Sequence, residues 1–166
     1  MFTYREASIH DAKAIARTEA ASKQASLVGV IEFMTPEYEL DYDQLLVKWK
    51  GYIEKTRSPR KSKDPRIIFA AFDGGLMVGF AACHHSSKWG VESELQSTYV
   101  LKDYQRQGIG THLFELVVDW VRAEGIYSMG VNLYSENPYR QFYEKMGGEY
   151  LRSSALLWKD LKKWTL

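Results

Sequence analysis

The longest organised run of apolar and polar positions lies at residues 94–120, ELQSTYVLKDYQRQGIGTHLFELVVDW. It begins with strand formers, ending in Thr98, Tyr99 and Val100. Residues 102–107 are polar and cannot continue a buried strand. Gly108 and Gly110 follow, and then a helical repeat. Ile109, Leu113, Leu116, Val117, Trp120 and Val121 recur at three- and four-residue steps, with Thr111, Glu115, Asp119 and Arg122 opposite them. The pattern predicts a strand, a short turn and a helix that Gly125 closes as a C-cap.

The rest of the chain is arranged around that unit. Residues 2–5 alternate and read as an edge strand. Ser8 is a suitable N-cap, with Asp11 in the first turn, for an alanine-rich helix over residues 9–22 marked by Ala12, Ile15, Ala16 and Glu19. Residues 23–38 are apolar without a clear period, which fits a loop or a helix extension ending near Pro36. A second helix is expected over 40–56, with Leu45, Leu46, Trp49, Tyr52 and Ile53 inward. Five of the nine residues 57–65 are Arg, Lys or Asp, which marks an exposed connector.

Residues 66–72 form a strong strand pattern, and Asp73-Gly74-Gly75 a hairpin turn. Strands over 76–84 and 92–100 complete an antiparallel meander, with Trp89-Gly90 at its second turn. A strand over 126–134 then runs parallel to the last one through the helical crossover. A short helix over 138–145, closed by Gly147-Gly148, precedes a final strand or hairpin over 150–158. The expected fold class is α+β, layered α/β/α. It has a mixed, mostly antiparallel central sheet of six to seven strands, with about four helices on both faces. Residues 1–166 are expected to form a single domain.

Composition narrows the partners. The 22 Lys and Arg nearly balance 21 Asp and Glu, so nothing points to nucleic acid. One cysteine, Cys83, excludes an intramolecular disulfide and suits a reducing compartment. The first residues do not lead from a basic stretch into an apolar run, so no signal peptide is expected. No apolar run nears the roughly 20 residues needed to span a membrane. These features predict a soluble cytoplasmic protein.

The two glycines admit two readings. They make a tight strand-to-helix turn, or they leave bare backbone at a helix N-terminus, where unpaired N–H groups and the dipole receive a diphosphate. A dinucleotide fingerprint needs a third glycine where Leu113 stands, and a Walker loop needs a lysine before Thr111, so both fail. Gln105-Arg106-Gln107-Gly108-Ile109-Gly110 instead fits Q/R-x-x-G-x-G/A. Downstream, residues 137–148 (NPYRQFYEKMGG) place an asparagine before a helix that carries Phe142-Tyr143 and ends in glycine. In these two motifs, in their order and spacing, the chain resembles the GNAT superfamily of N-acetyltransferases over about residues 66–158. Lys102, Tyr139 and Gly148 depart from the family's usual residues.

The resemblance implies acetyl-CoA as co-substrate, no metal, and direct transfer of the acetyl group to a primary amine of a small molecule, peptide or protein. Its implied coenzyme-binding residues are Tyr99, Val100, Gln105, Arg106, Gln107, Gly108, Ile109, Gly110, Thr111 and Asn137. A main-chain N–H near Tyr99 or Val100 would stabilise the developing oxyanion. Asn137 would bond the pantetheine arm, or cap its own helix. Tyr143 is the candidate general acid, placed by the resemblance beside the thioester sulfur; as a residue it reads equally as a core tyrosine. Glu94 is the candidate base. Glu92 shares its strand face, and a like-charge pair would raise one of the two pKa values. Both also read as solvated strand-end charges.

Cys83, His84 and His85 are adjacent, so neighbouring side chains on a strand point to opposite faces and do not share one ligand set. The basic connector is a solvated loop or a neighbour of the adenosine 3′-phosphate. The acidic, aromatic residues 27–43 border the acceptor and favour a cationic amine, or simply form a helix start rich in acids. Monomer and homodimer both stay open. So do a silent acyl-CoA-binding regulatory module and a transferase of another acyl chain.

Overall fold

The computed structural model describes residues 1–31, 34, 41–134 and 136–166. Its elements in order are β1 (Thr3–Glu6), α1 (Ala12–Ser26), α2 (Tyr42–Ile53), β2 (Ser62–Asp73), β3 (Leu76–Ser86), β4 (Ser93–Val100), α3 (Ile109–Ala123), β5 (Met129–Asn132), α4 (Arg140–Lys145), β6 (Glu149–Arg152) and β7 (Ala155–Trp158). Among the described residues, seven strands form one sheet in the order β1-β2-β3-β4-β5-β7-β6. Every neighbouring pair is antiparallel except β4 and β5, which α3 joins as a crossover. This is the expected α+β architecture.

The sheet separates two cores. On one face α1 and α2 bury Ile15, Ala16, Trp49 and Tyr52 against Ala70, Phe80 and Ala82. On the other, α3 and α4 bury Leu113, Phe114, Val117, Tyr143 and Met146 against Val78, Ala81 and Leu95. The α3 stripe is wider than its periodicity indicated. Phe114 and Val118 are fully buried, whereas Leu116 and Trp120 are half-buried. The reason is tertiary: the rings of Trp158, at the end of β7, and Trp164 lie 5.0 and 5.4 Å from Phe114.

Element ends moved where side chains took over the backbone's hydrogen bonds. The first helix opens as a 3-10 turn over Ile9–Asp11 and continues to Ser26. Asp11 accepts from the Ser8 N–H at 2.8 Å and from the Arg5 guanidinium at 2.9 and 2.8 Å. The described part of the 23–38 stretch is thus a helix extension, followed by a small cluster of Leu27, Ile31 and Met34. The connector is shorter than expected, since β2 already starts at Ser62. Arg66 holds that start by donating to Asp64 and to the carbonyls of Tyr52 and Arg57. The final segment is a hairpin, β6–β7.

Two irregularities in the central strands open the sheet at its middle. Ala82 faces Ser97 and Cys83 faces Leu95, so Gln96 is an extra residue bulging from β4. β4 and β5 pair only from Ser93↔Met129 to Leu95↔Val131 and then diverge. The β4 edge from Gln96 to Val100 is therefore left without a β5 partner.

Candidate active site

A cavity of about 680 Å³ occupies the gap where β4 and β5 part. Its walls are β4 from Gln96 to Val100, the turn into α3, the end of β5, α4 with its approach, Ser22 and Ser26 of α1, and Leu27 just after it. The described charged side chains that line it are Lys102, Arg106 and Lys145, all cationic. The bulged Gln96 buries its side-chain oxygen at this wall without a protein partner.

Most of the coenzyme-binding residues expected from the sequence meet here. Tyr99, Val100, Gln105, Arg106, Gly108, Gly110, Thr111 and Asn137 all line the cavity. Gly108 has φ +82°, the left-handed region that glycine enters without strain, and an added Cβ there would meet nothing within 4 Å. The first bond of α3 runs from His112 N–H to the Gly108 carbonyl. The N–H groups ahead of it face the loop as the free donors of a helix start. Bare backbone, a helix N-terminus and three cations fit a polyphosphate.

Three expected residues sit differently. Ile109 points into the core at 1% exposure, where it anchors the turn. Gln107 is exposed and folds back to donate to the Asp103 carbonyl at 3.1 Å. Gln105 does line the cavity, but its side chain spans it. It donates to the Val100 carbonyl at 3.0 Å and exchanges a hydrogen bond with the Tyr139 hydroxyl at 3.1 Å. Tyr139, in a position where the family pattern usually has a small residue, thus links the two sequence motifs across the gap.

Asn137 closes a turn ahead of α4, accepting from the Tyr139 N–H at 2.8 Å, whereas α4 itself has Tyr139 at its N-cap and no side-chain cap. Tyr143 is buried on α4 and lines the cavity. Burial pushes its phenol up to about 12, while the neighbouring Thr98 side chain works the other way. Tyr99 lines the α1 side, and burial raises its phenol well above the ordinary value.

The two candidate carboxylates are not on the described cavity wall. Glu94, 3% exposed, accepts from Lys88 Nζ at 2.7 Å and faces His84 Nε2 at 3.2 Å. Burial alone would raise its carboxyl, but these partners overcome that and hold it below the ordinary range. His84 Nδ1 continues the chain to the Tyr52 hydroxyl at 3.0 Å. Glu92 precedes β4, is exposed, and accepts from the Tyr127 N–H at 3.0 Å and the Ser128 hydroxyl at 3.1 Å. Those bonds, the Tyr127 N–H foremost, lower its carboxyl, so the expected like-charge coupling to Glu94 is absent. His84 and His85 do part to opposite faces, His85 lying 5.8 Å from the Trp120 ring of α3.

Sequence reasoning missed the end of α4. Trp158 and Trp164 both donate their indole N–H to the Met146 carbonyl, at 2.8 and 2.6 Å. Only the number of tryptophans, five in 166 residues, hinted at them.

The comparisons agree with this geometry. The profile described as the acetyltransferase (GNAT) family matches residues 27–148. A relative named as an uncharacterised N-acetyltransferase, YuaI of Bacillus subtilis strain 168, is 29% identical over an alignment of 178 residues covering 97% of this chain and 95% of its own. The PaiA N-acetyltransferase of Thermoplasma acidophilum, solved with coenzyme A, superposes with a TM-score of 0.74 at 18% identity, over 96% of this chain and 99% of that one. A GNAT acetyltransferase of Brucella melitensis, solved with acetyl-CoA, gives 0.62 at 18% identity over 95% and 86%. The chain belongs to the acetyltransferase (GNAT) family. It is an N-acetyltransferase, and acyl transfer from acetyl-CoA is its general chemistry. Among the described residues, no helix is long and apolar enough to cross a membrane.

Proposed function

We propose that this protein transfers an acetyl group directly to a primary amine, with the coenzyme held in the gap between β4 and β5. The observation that carries the reading is convergence. The Gly108 turn and the unpaired β4 edge meet on one cavity with the Tyr143 phenol, which comes from a separate motif further along the chain. Bound acetyl-CoA would supply the acetyl group as a thioester, whose sulfur the acceptor nitrogen displaces.

The chain's residues divide the remaining work. The α3 N-terminus and Gly108 give main-chain donors to the diphosphate, with Lys102, Arg106 and Lys145 as counter-charges. The unpaired β4 edge near Tyr99 and Val100 offers an N–H to the carbonyl oxygen as negative charge grows there. Asn137 and the bulged Gln96 have polar atoms for the pantetheine arm.

Tyr143 serves the sulfur. A phenol near 12 stays protonated at every physiological pH. Handing its proton fully to a thiolate near ~8.5 is uphill by roughly three to four pH units, about 5 kcal/mol. Its contribution is therefore a hydrogen bond that strengthens as the C–S bond breaks, with solvent completing the protonation. Glu94, already committed to Lys88 and His84, is a fixed negative charge behind the bulge rather than a direct base. The amine then enters as its free base, and its second proton leaves to solvent.

One experiment tests both binding and chemistry. Calorimetric titration with acetyl-CoA, coenzyme A and ATP is paired with a thiol-release screen of amines, on wild type and Tyr143→Phe. The reading expects micromolar binding of both coenzymes, much weaker ATP, and at least a tenfold loss of turnover in Tyr143→Phe at nearly unchanged coenzyme affinity. Full turnover in Tyr143→Phe removes the phenol from the reaction. No coenzyme binding reduces Gly108-Ile109-Gly110 to a turn.

A further inference from the structure

The short helix that carries Tyr143 does not hold its own end. α4 has six residues, far fewer than a helix needs to persist alone. Its last turn closes through Gly147, at φ +83°, and through the Gly148 N–H to the Tyr143 carbonyl at 3.0 Å. The Met146 carbonyl is left as an orphan acceptor of the kind every helix C-terminus has. Here two indoles take it, from Trp158 at 2.8 Å and from Trp164 at 2.6 Å.

Those indoles come from different places. Trp158 ends β7 and belongs to the sheet, with its ring 6.4 Å from that of Tyr143. Trp164 lies beyond the last strand and has no strand to hold it. Arg122, in the last turn of α3, fixes it instead. Its guanidinium donates to the carbonyls of Leu161, at 2.7 Å, and Trp164, and stands 5.9 Å from the Trp164 ring. Trp164 also packs on Phe114 of α3. One helix therefore presents the glycine turn at its N-terminus and, from its C-terminus, steadies the segment that grips α4.

We propose that the Trp164 indole N–H is a positioning group for Tyr143: by clamping the Met146 carbonyl, it holds the phenol at the place where sulfur departs. This rests on the proposed role of Tyr143 at the sulfur. The chain of contacts runs from Arg122 to Trp164, from Trp164 to the end of α4, and three residues back along α4 to the phenol. Trp164 touches no reacting atom, and its effect passes wholly through Tyr143.

The test is Trp164→Phe, which keeps a ring against Phe114 and removes the N–H. Hydrogen exchange of the apo protein reads positioning directly: amides of residues 142–148 should exchange at least about tenfold faster, with α3 unchanged. With acetyl-CoA and the fastest amine of the screening panel, kcat should fall roughly three- to tenfold, while the KM for acetyl-CoA stays within about twofold. In the Tyr143→Phe background the same substitution should cost less than about twofold further, because the group it positions is gone. Arg122→Gln leaves the indole in place and loosens its anchor. It should give the same pattern at smaller size, and it serves if Trp164→Phe does not fold.

Unchanged kcat in both variants overturns the proposal. So does an equal fold-loss in the wild-type and Tyr143→Phe backgrounds, which would mean a general effect on the fold. Full activity of Tyr143→Phe alone would instead defeat the role of Tyr143 itself, and it is read from a separate protein.

Discussion

On the α1–α2 face of the sheet, each of two buried carboxylates is closed by partners from the protein. Glu19, fully buried on α1, pairs with Lys23 and Lys48 and accepts from the Trp49 indole at 2.6 Å. Burial opposes its charge, and the two lysines more than offset it, so its carboxyl lies below the ordinary range. Glu94 is closed in the same way by Lys88 and His84. Around the cavity the balance is reversed. Three cations, the free donors of the α3 start and a strand edge without a partner face open space. Polar groups satisfied at home are scaffold, and polar groups left over await a ligand. The difference teaches which of the charged residues belong to the chemistry.

The comparison can be broken at its strongest point first. Gly108→Glu should abolish coenzyme binding in calorimetry, more than about a hundredfold, because a side chain at φ +82° is strained and its charge meets the diphosphate. Retained affinity would move the coenzyme off this loop. Glu19→Ala should do the converse. It strands two lysines and costs on the order of 3 kcal/mol in chemical denaturation, with coenzyme affinity of the folded protein unchanged. Weakened coenzyme binding at full stability would put Glu19 on the ligand side of the comparison.

The smallest effect sharpens the scaffold side. The Arg5 guanidinium, with the Ser8 backbone, lowers Asp11 from 3.8 to about 2. A depressed folded pKa stabilises above the unfolded value and loses that contribution as pH falls. Asp11 should therefore give about 2 kcal/mol at neutral pH, vanishing between pH ~4 and ~2. Denaturation of wild type and Asp11→Asn should differ by that amount at pH 7 and converge near pH 2. A gap that persists at pH 2 would mean the loss is steric.

Legibility followed distance along the chain. The β4–turn–α3 unit was readable because its signals are local: strand formers, a polar break, glycine at the turn and a helical repeat. Tyr143, which lines the cavity, was singled out through a motif of neighbouring residues. Glu94 was singled out as a candidate base, but its surroundings were not legible. Lys88 and His84 reach it only through the antiparallel register of β3 and β4, and no spacing rule announces that. The bond between Gln105 and Tyr139 was illegible for the same reason, since the two stand 34 residues apart. The acidic stretch expected at the acceptor falls largely outside the described residues, with Asp41, Tyr42 and Asp43 forming only the start of α2.

What the sequence determined alone is the order of the elements and the glycine turn, because periodicity and the conformational freedom of glycine act within a few residues. The tertiary structure decided the rest. The gap between β4 and β5 exists because a bulge at Gln96 and a short parallel ladder let two strands diverge. The charges around Glu94 and Glu19 cancel because separate elements bring them together. The position of the phenol depends on two indoles from the far end of the chain meeting one carbonyl. A carbonyl at a helix end needs a donor, and only folding determines which one arrives.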